Sequence, residues 1–303
     1  MPDDWAQRRG AVSQRLLRLA AFATLAGILV YLIINTGLAW MYVYVLEHPA
    51  CQDDPQRFSN SPVPEEHWLK TRDGLSLRAW YYPSKNGAAV LALGGLGGAL
   101  GDNLPQVDFL EEEGFGVLQI DSRACARPRA PVTLGAKELF DAEAGLAFLL
   151  SRPEVEVIGV YGFSMGGAAA IRLAARHAEV AAVVAEGGYF NLGDDLIEPD
   201  SRLNALHRAF LYTIAASYWL QTGMNPWEIS PIDDLPEISP RPVFLIYGEG
   251  EAASGRAQAQ FEAAREPKSL WVVPGGAHGI NYAASPGEFR HRVTEFFSST
   301  LSP

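Results

Sequence analysis

Cysteine is scarce: Cys51 and Cys125 are the only two in 303 residues. Two cannot build the disulfide framework of a small secreted scaffold, and they lack the clustered spacing of a zinc site. A disulfide between them requires an extracytoplasmic domain, and the sequence leaves both the paired and the free state open. Basic charge is also short, with 24 Lys and Arg against 35 Asp and Glu and a formal net charge of −11. A nucleic-acid binder needs a basic surface to neutralise phosphates, so no nucleic-acid partner is expected. Apolar residues are plentiful, at 48% hydrophobic against 19% charged. That excludes a disordered chain and suffices for one globular domain plus an accessory segment.

A further absence is local. From Leu19 through Leu46 there is no Asp, Glu, Lys, Arg or His, a run of about 28 residues that spans about 40 Å as a helix and is long enough to cross a bilayer. A signal peptide has a shorter apolar core and a small-residue cleavage site, whereas this run ends in Trp40, Met41, Tyr42 and Tyr44. It reads as a retained transmembrane anchor at 19–46, with Trp40, Tyr42 and Tyr44 as an outer aromatic belt. Arg8, Arg9, Arg15 and Arg18 precede it, and Glu47, Asp53 and Asp54 follow. The positive-inside rule then puts residues 1–18 in the cytoplasm and the body outside, a single-pass arrangement. Residues 47–65, rich in Pro, Asp, Gln and Ser, read as a stalk.

The body, 66–303, alternates between two periods. "HWLKTRDGLSLRAWYYP" alternates like a hairpin around Asp73-Gly74. "AAVLALGG", "FGVLQID", "VEVIGVYG", "VAAVVAEGG", "RPVFLIYG" and "SLWVVPGG" are short apolar runs that end in Gly or an acid, as strands buried on both faces do. Helical stretches lie between them, notably Leu134 to Ser151, Ala168 to His177 and Glu288 to Leu301. Strands alternating with helices predict a mostly parallel sheet covered on both sides, with ligand sites at the carboxyl ends of its strands.

"GVYGFSMGGAAA" sets Ser164 in a glycine cluster between the strand Val155 to Tyr161 and the helix from Ala168. Gly-x-Ser-x-Gly alone is a weak signal, but the strand-turn-helix context is what a nucleophile elbow requires. The N–H of Met165, next in the chain at a helix N-terminus, points to where an oxyanion would form. A serine nucleophile needs a base and an acid, in the chain order Ser, Asp or Glu, His. Of the histidines after the elbow, His278 stands in the glycine-rich loop "VVPGGAHGI" directly after a strand, while His207 and His291 sit in helical stretches. "LIYGEGEAASG" offers Glu249 and Glu251 as the acid, and Glu186, at an earlier strand end, is an outside candidate.

These residues resemble the α/β-hydrolase superfamily, specifically bacterial serine hydrolases with an N-terminal membrane anchor and a compact cap. The resemblance runs from about Glu66 to Pro303, through "DGLSLRAWYYPS", "LALGGLGG", "IDSRACARP", "GFSMGG", "PRPVFLIYGEGE" and "GGAHG". It implies an α/β-hydrolase fold: a mostly parallel sheet flanked by helices, with a small helical cap at 188–240, preceded by one transmembrane helix. It places the acid, usually Asp, on Glu251, and the second oxyanion N–H on Leu96, after Gly94-Gly95 where relatives have His-Gly. It makes Asp121 and Arg123 an ion pair bracing loops. The implied activity is that of a carboxylesterase or lipase-like serine hydrolase, cleaving an acyl ester through a Ser164, Glu251, His278 triad and an acyl-enzyme. The substrate is a small-molecule or lipid ester, and no metal or organic cofactor is required. Alternatives are a thioesterase or peptidase on the same triad, or an inactive membrane-tethered binding protein. A dinucleotide-binding turn at "GGLGGALG" fails because Leu100 stands where the third glycine belongs. In the cap, Phe210, Leu211, Tyr212, Ile214, Tyr218, Trp219 and Leu220, with Tyr212 and Trp219 foremost, are candidates to line an acyl pocket.

Overall fold

Every residue of strand β3 (Ala88–Leu93) is buried. Ala89, Leu91 and Leu93 enter one apolar cluster, while Ala88, Val90 and Ala92 enter another. Alternate side chains thus serve opposite faces of one sheet, so the run carries no polar alternation. The computed structural model describes residues 2–51, 63–97, 105–197 and 205–302. Most of the expected stalk, position 100 and part of the cap lie outside those residues.

In chain order the elements are α1 (Pro2–Glu47), β1 (Glu65–Lys70), β2 (Ser76–Tyr82), β3, α2 (Pro105–Glu112), β4 (Gly116–Ile120), α3 (Glu138–Leu150), β5 (Val157–Phe163), α4 (Met165–Arg176) and β6 (Val180–Glu186). Then come α5 (Leu192–Leu196), α6 (Ala205–Thr222), α7 (Pro231–Asp234), β7 (Val243–Gly248), α8 (Glu249–Ala252), α9 (Arg256–Ala263), β8 (Lys268–Val273), α10 (Asn281–Ala284) and α11 (Pro286–Thr300). The eight strands form one sheet in the order β1-β2-β4-β3-β5-β6-β7-β8. Only β2 runs against its neighbours; every other pairing is parallel. One face is covered by α3, α4 and α9 and the other by α2 and α11. This is the α/β-hydrolase fold.

Two boundaries move for physical reasons. The helix expected from Leu134 begins at Glu138, because the preceding loop folds over its carboxylate: Thr133 N and Gly135 N donate to Glu138 at 2.8 and 2.7 Å. The turn expected over Gly162 to Gly167 contracts to one residue, with β5 running to Phe163 and α4 starting at Met165. Asp121 and Arg123 brace loops through different partners. Arg123 donates to Asp141 at 3.0 and 2.8 Å and to Asp73 at 3.3 Å, while Asp121 accepts from Arg78 at 3.3 Å.

The apolar N-terminal run is one continuous helix, α1, long and apolar enough to cross a membrane. Its last turns are part of the folded body. Ala39 and Val43, buried on one side of α1, join a third cluster with Leu134, Met165, Leu192, Ile214, Tyr218 and Ile229. The Glu47 carbonyl accepts from Val132 N at 2.8 Å, and Cys51 is bonded to Cys125 across 74 residues of sequence.

Candidate active site

Glycine is required on both sides of Ser164 by backbone approach. A Cβ on Gly162 would lie 2.0 Å from the Gly166 carbonyl oxygen, and one on Gly166 would lie 2.2 Å from that of Leu93. Strand, turn and helix therefore pack backbone to backbone, and Ser164 takes up the reversal at φ 55°, ψ −120°. A non-glycine residue at such angles carries strain of about 1–3 kcal/mol, which the surrounding structure must hold in place. The Ser164 N–H donates to the Glu186 carbonyl at 2.7 Å, and the Ser164 carbonyl accepts from Gly167 N at 2.9 Å. The elbow is thus pinned to the end of β6 and to its own helix.

Three side chains meet there. Ser164 Oγ lies 3.0 Å from His278 Nε2, and His278 Nδ1 lies 2.7 Å from Glu251 Oε1. His278 hangs from the loop after β8, its ring against Phe163 at a centroid distance of 5.3 Å. Glu251 is anchored from behind, because its Oε2 accepts from Gly248 N at 2.8 Å. Glu249 turns the other way and accepts from Gly275 N at 3.0 Å. The Glu251 hydrogen bond raises the His278 pKa above its ordinary value, against burial, which lowers it. Burial of Glu251 acts to raise its own pKa, but its bonds to His278 and Gly248 N prevail and leave the carboxyl below the ordinary range.

Glu186 lies underneath, fully buried at the end of β6. The Tyr161 hydroxyl donates to one of its oxygens, and Asn281 Nδ2 donates to the other at 3.1 Å. Burial, reinforced by the charge of Glu251, lifts its pKa to about 7, although both hydrogen bonds oppose the shift. No sequence signal marked Tyr161 or Asn281 as supports of this region.

The two proposed oxyanion donors flank the serine. Met165 is the first residue of α4, so no earlier carbonyl of the helix takes its N–H. Leu96 follows Gly95, whose Cβ position is 3.1 Å from that of Ser164. The pocket candidates fare differently. Tyr212 and Trp219 are 56% and 55% exposed on the outer side of α6, whereas Ile214 and Tyr218 face the cluster that holds Met165. The structure does not bring Tyr212 or Trp219 to the serine; helical phase turns them away.

The family described as BAAT / Acyl-CoA thioester hydrolase C terminal matches residues 138–210, the stretch that carries α3, β5, the elbow, α4 and β6. The protein YfhR of Escherichia coli strain K12 is 24% identical over 249 residues, covering 77% of this chain and 80% of its own. The polyketide transferase ATR5 of Stachybotrys chlorohalonatus is 23% identical, covering 78% and 97% respectively. Among solved structures, the Pyrococcus furiosus esterase Pf2001 superposes with a TM-score of 0.65 at 24% identity, covering 84% of this chain and 98% of its own.

Proposed function

We propose that the chain is a membrane-tethered serine hydrolase that cleaves acyl esters. The observation that carries this reading is the continuous relay from Ser164 Oγ to His278 Nε2 at 3.0 Å and from His278 Nδ1 to Glu251 Oε1 at 2.7 Å. His278 takes the Ser164 proton as the oxygen attacks the acyl carbonyl. Glu251 holds the ring by its Nδ1–H and stabilises the imidazolium. The N–H groups of Leu96 and Met165 stabilise the oxyanion, each such donor being worth about 3 kcal/mol. The imidazolium then protonates the leaving alcohol, and water repeats the sequence on the acyl-enzyme.

The anchor reading rests on α1, whose apolar stretch covers 19–46 and whose last turns pack into the domain, which a cleaved signal segment would not do. The body 66–303, with its cap at 188–240, is placed outside. Two features agree on this orientation: arginines precede the span, and the Cys51–Cys125 disulfide suits an oxidising compartment. A second reading, a thioester substrate, is favoured by the thioester-hydrolase match over 138–210. A fluorophosphonate probe tests the nucleophile. Labelling of the detergent-solubilised full chain that disappears in Ser164→Ala supports it, and equal labelling of both proteins overturns it. Parallel turnover of an oxygen ester and the matching thioester decides the bond.

A further inference from the structure

Helix α6 has the wrong surface for a helix exposed to water. From Ala209 to Gln221 it contains no Asp, Glu, Lys, Arg or His. Its inner side, Ile214, Ala215, Ser217 and Tyr218, is buried against the domain. Its outer side is apolar as well: Leu206, Tyr212, Trp219 and Leu220 are 60%, 56%, 55% and 76% exposed, with Ala209 and Ala216 exposed between them. A helix apolar on all sides belongs in a core or in lipid.

Its neighbour says which. Tyr31 Oη of α1 donates to the Leu206 carbonyl at 3.3 Å, and Gln221 Nε2 donates to the Trp40 carbonyl at 3.1 Å. Between these bonds α6 advances about 22 Å and α1 about 14 Å, so the two helices run the same way, inclined to one another. A hydrocarbon core of about 20 helical residues, counted from Arg18, ends near residue 38. Tyr31 then lies about 10 Å inside the outer boundary, and Trp40 lies at the headgroups. If α1 spans, the first turns of α6 are carried below the lipid surface and its last turn emerges at the interface. Several polar groups at this level bond within the protein, as lipid favours, although Asn35 Oδ1 is buried without a partner. The hydroxyls of Thr24 and Thr213 donate to carbonyls of their own helices at 2.9 and 2.8 Å, and Asn35 Nδ2 donates to Tyr31 Oη at 3.1 Å. The first turn also carries the exposed pair His207 and Arg208; the Arg208 stem is long enough to reach headgroup phosphates, and His207 beside it must sit toward the same headgroup level.

We propose that α6 is a second membrane-embedded element, its outer face set in the outer leaflet beside α1, so that Ser164 takes an acyl-lipid ester directly from that leaflet. This rests on the reading of α1 as a retained anchor and of Ser164 as the nucleophile. Met165, next in the chain to Ser164, belongs to the same apolar cluster as the inner side of α6, with Phe210 and Leu211 packed against it.

The test uses the full chain in phosphatidylcholine vesicles. With Cys51 and Cys125 joined, a single introduced cysteine takes an environment-sensitive fluorophore at Ala216→Cys, at Leu220→Cys, or at the control Glu262→Cys on α9. The proposal expects lipid-borne nitroxides to quench the first two at least threefold more than the control. Equal quenching at all three, in protein that resists alkaline extraction and is labelled by fluorophosphonate, overturns the proposal and leaves the anchor and nucleophile readings standing. Self-quenching between copies at Leu220→Cys without nitroxide quenching also overturns it, by making the face a protein interface. Leu206→Glu combined with Ala216→Glu, both on the outer face, is expected to lower hydrolysis of a vesicle-borne long-chain ester at least tenfold while p-nitrophenyl acetate turnover stays within twofold. Unchanged turnover of the vesicle-borne ester overturns the substrate route.

Discussion

Glu251 and Glu249 stand two residues apart at the end of β7, and only Glu251 faces His278: its Oε1 lies 2.7 Å from Nδ1, while Glu249 binds Gly275 N at 3.0 Å. The short helix α8 makes the difference, since residues two apart on a helix point to different sides. Glu251→Gln leaves a single accepting oxygen where His278 Nδ1 and Gly248 N each use one, and removes the charge that orients the ring, so kcat should fall about 10²- to 10⁴-fold. Glu249→Gln should stay within about threefold. A kcat measurement on p-nitrophenyl butyrate decides, and the reverse ranking would refute the assignment.

The same contact sets a pH dependence. As the proposed base, His278 must be neutral to accept the serine proton, and Glu251 holds its pKa above the ordinary value. The wild-type kcat/KM profile should therefore rise with pH to a midpoint above that of a free imidazole, about 6.5. In Glu251→Gln the residual activity should show a lower midpoint, because the charge that favoured the imidazolium is gone. A midpoint that moves upward, or not at all, contradicts the arrangement.

The elbow should fail by steric contact rather than by chemistry. Gly166→Ala puts a methyl where the Leu93 carbonyl oxygen already lies, 2.2 Å away, whereas a Cβ on Gly287, in the first turn of α11, meets nothing within 4 Å. Gly166→Ala should lose fluorophosphonate labelling by a factor of about 100 or more and lower Tm by several degrees, in line with a core backbone clash. Gly287→Ala should match wild type or be slightly more stable, since alanine is the better helix former. Comparable behaviour of the two variants would contradict this account of the glycine pattern.

What the sequence disclosed and what it hid have physical causes. Five of the six parallel strands, β3 to β7, were legible because a strand buried on both faces reads as an unbroken apolar run, as β3 and β7 do; the edge strand β8, partly exposed, showed only the shorter run Leu270 to Val273. Ser164 and His278 were legible because glycine must gather where backbones touch. Spacing alone left Glu251 and Glu249 open, because the α8 turn decides between them, and only the family resemblance pointed to Glu251. Tyr212 and Trp219 were misplaced because a helix apolar on every side carries no phase in its composition. The contact of α1 with α6 joins segments some 175 residues apart, and neither segment has a periodicity that points to the other. Glu186 was noticed as a strand-end acid, but its place beneath the His278 and Glu251 pair depends on Tyr161 and Asn281, which no motif connects to it.

The disulfide ties the end of α1 to the loop after β4. Closing a loop of 74 residues restricts the unfolded chain by about 4 kcal/mol in the chain-entropy picture. Reduction, or paired Cys51→Ala and Cys125→Ala changes, should lower Tm by about 5–15 °C for a domain of this size. Thermal melts with and without dithiothreitol measure it, and the double alanine variant should be insensitive to the reductant. A wild-type melt that dithiothreitol leaves unmoved would argue against the bond as a stabilising link.

Glu186 makes stability depend on pH with a sign opposite to that of an ordinary salt-bridged acid. In the folded protein its pKa is lifted to about 7, from an ordinary value of 4.5. Between those values the native state holds a proton that the unfolded state has released, so the unfolded state binds fewer protons and stability falls as pH rises. The contribution is fully favourable below about pH 4.5 and is lost by about pH 7, a change of about 3 kcal/mol if the shift acts alone. Glu186→Gln approximates the protonated side chain and removes the titration. The stability of Glu186→Gln relative to wild type should therefore rise from pH 5 to pH 8, measured as the difference in urea midpoint. Tyr161 keeps its hydroxyl in both proteins, so a constant cost of repairing its hydrogen bond cancels in that comparison. A difference that stays flat across the window, or falls, would show that Glu186 is ionised in the native protein throughout, held by its bonds to Tyr161 and Asn281.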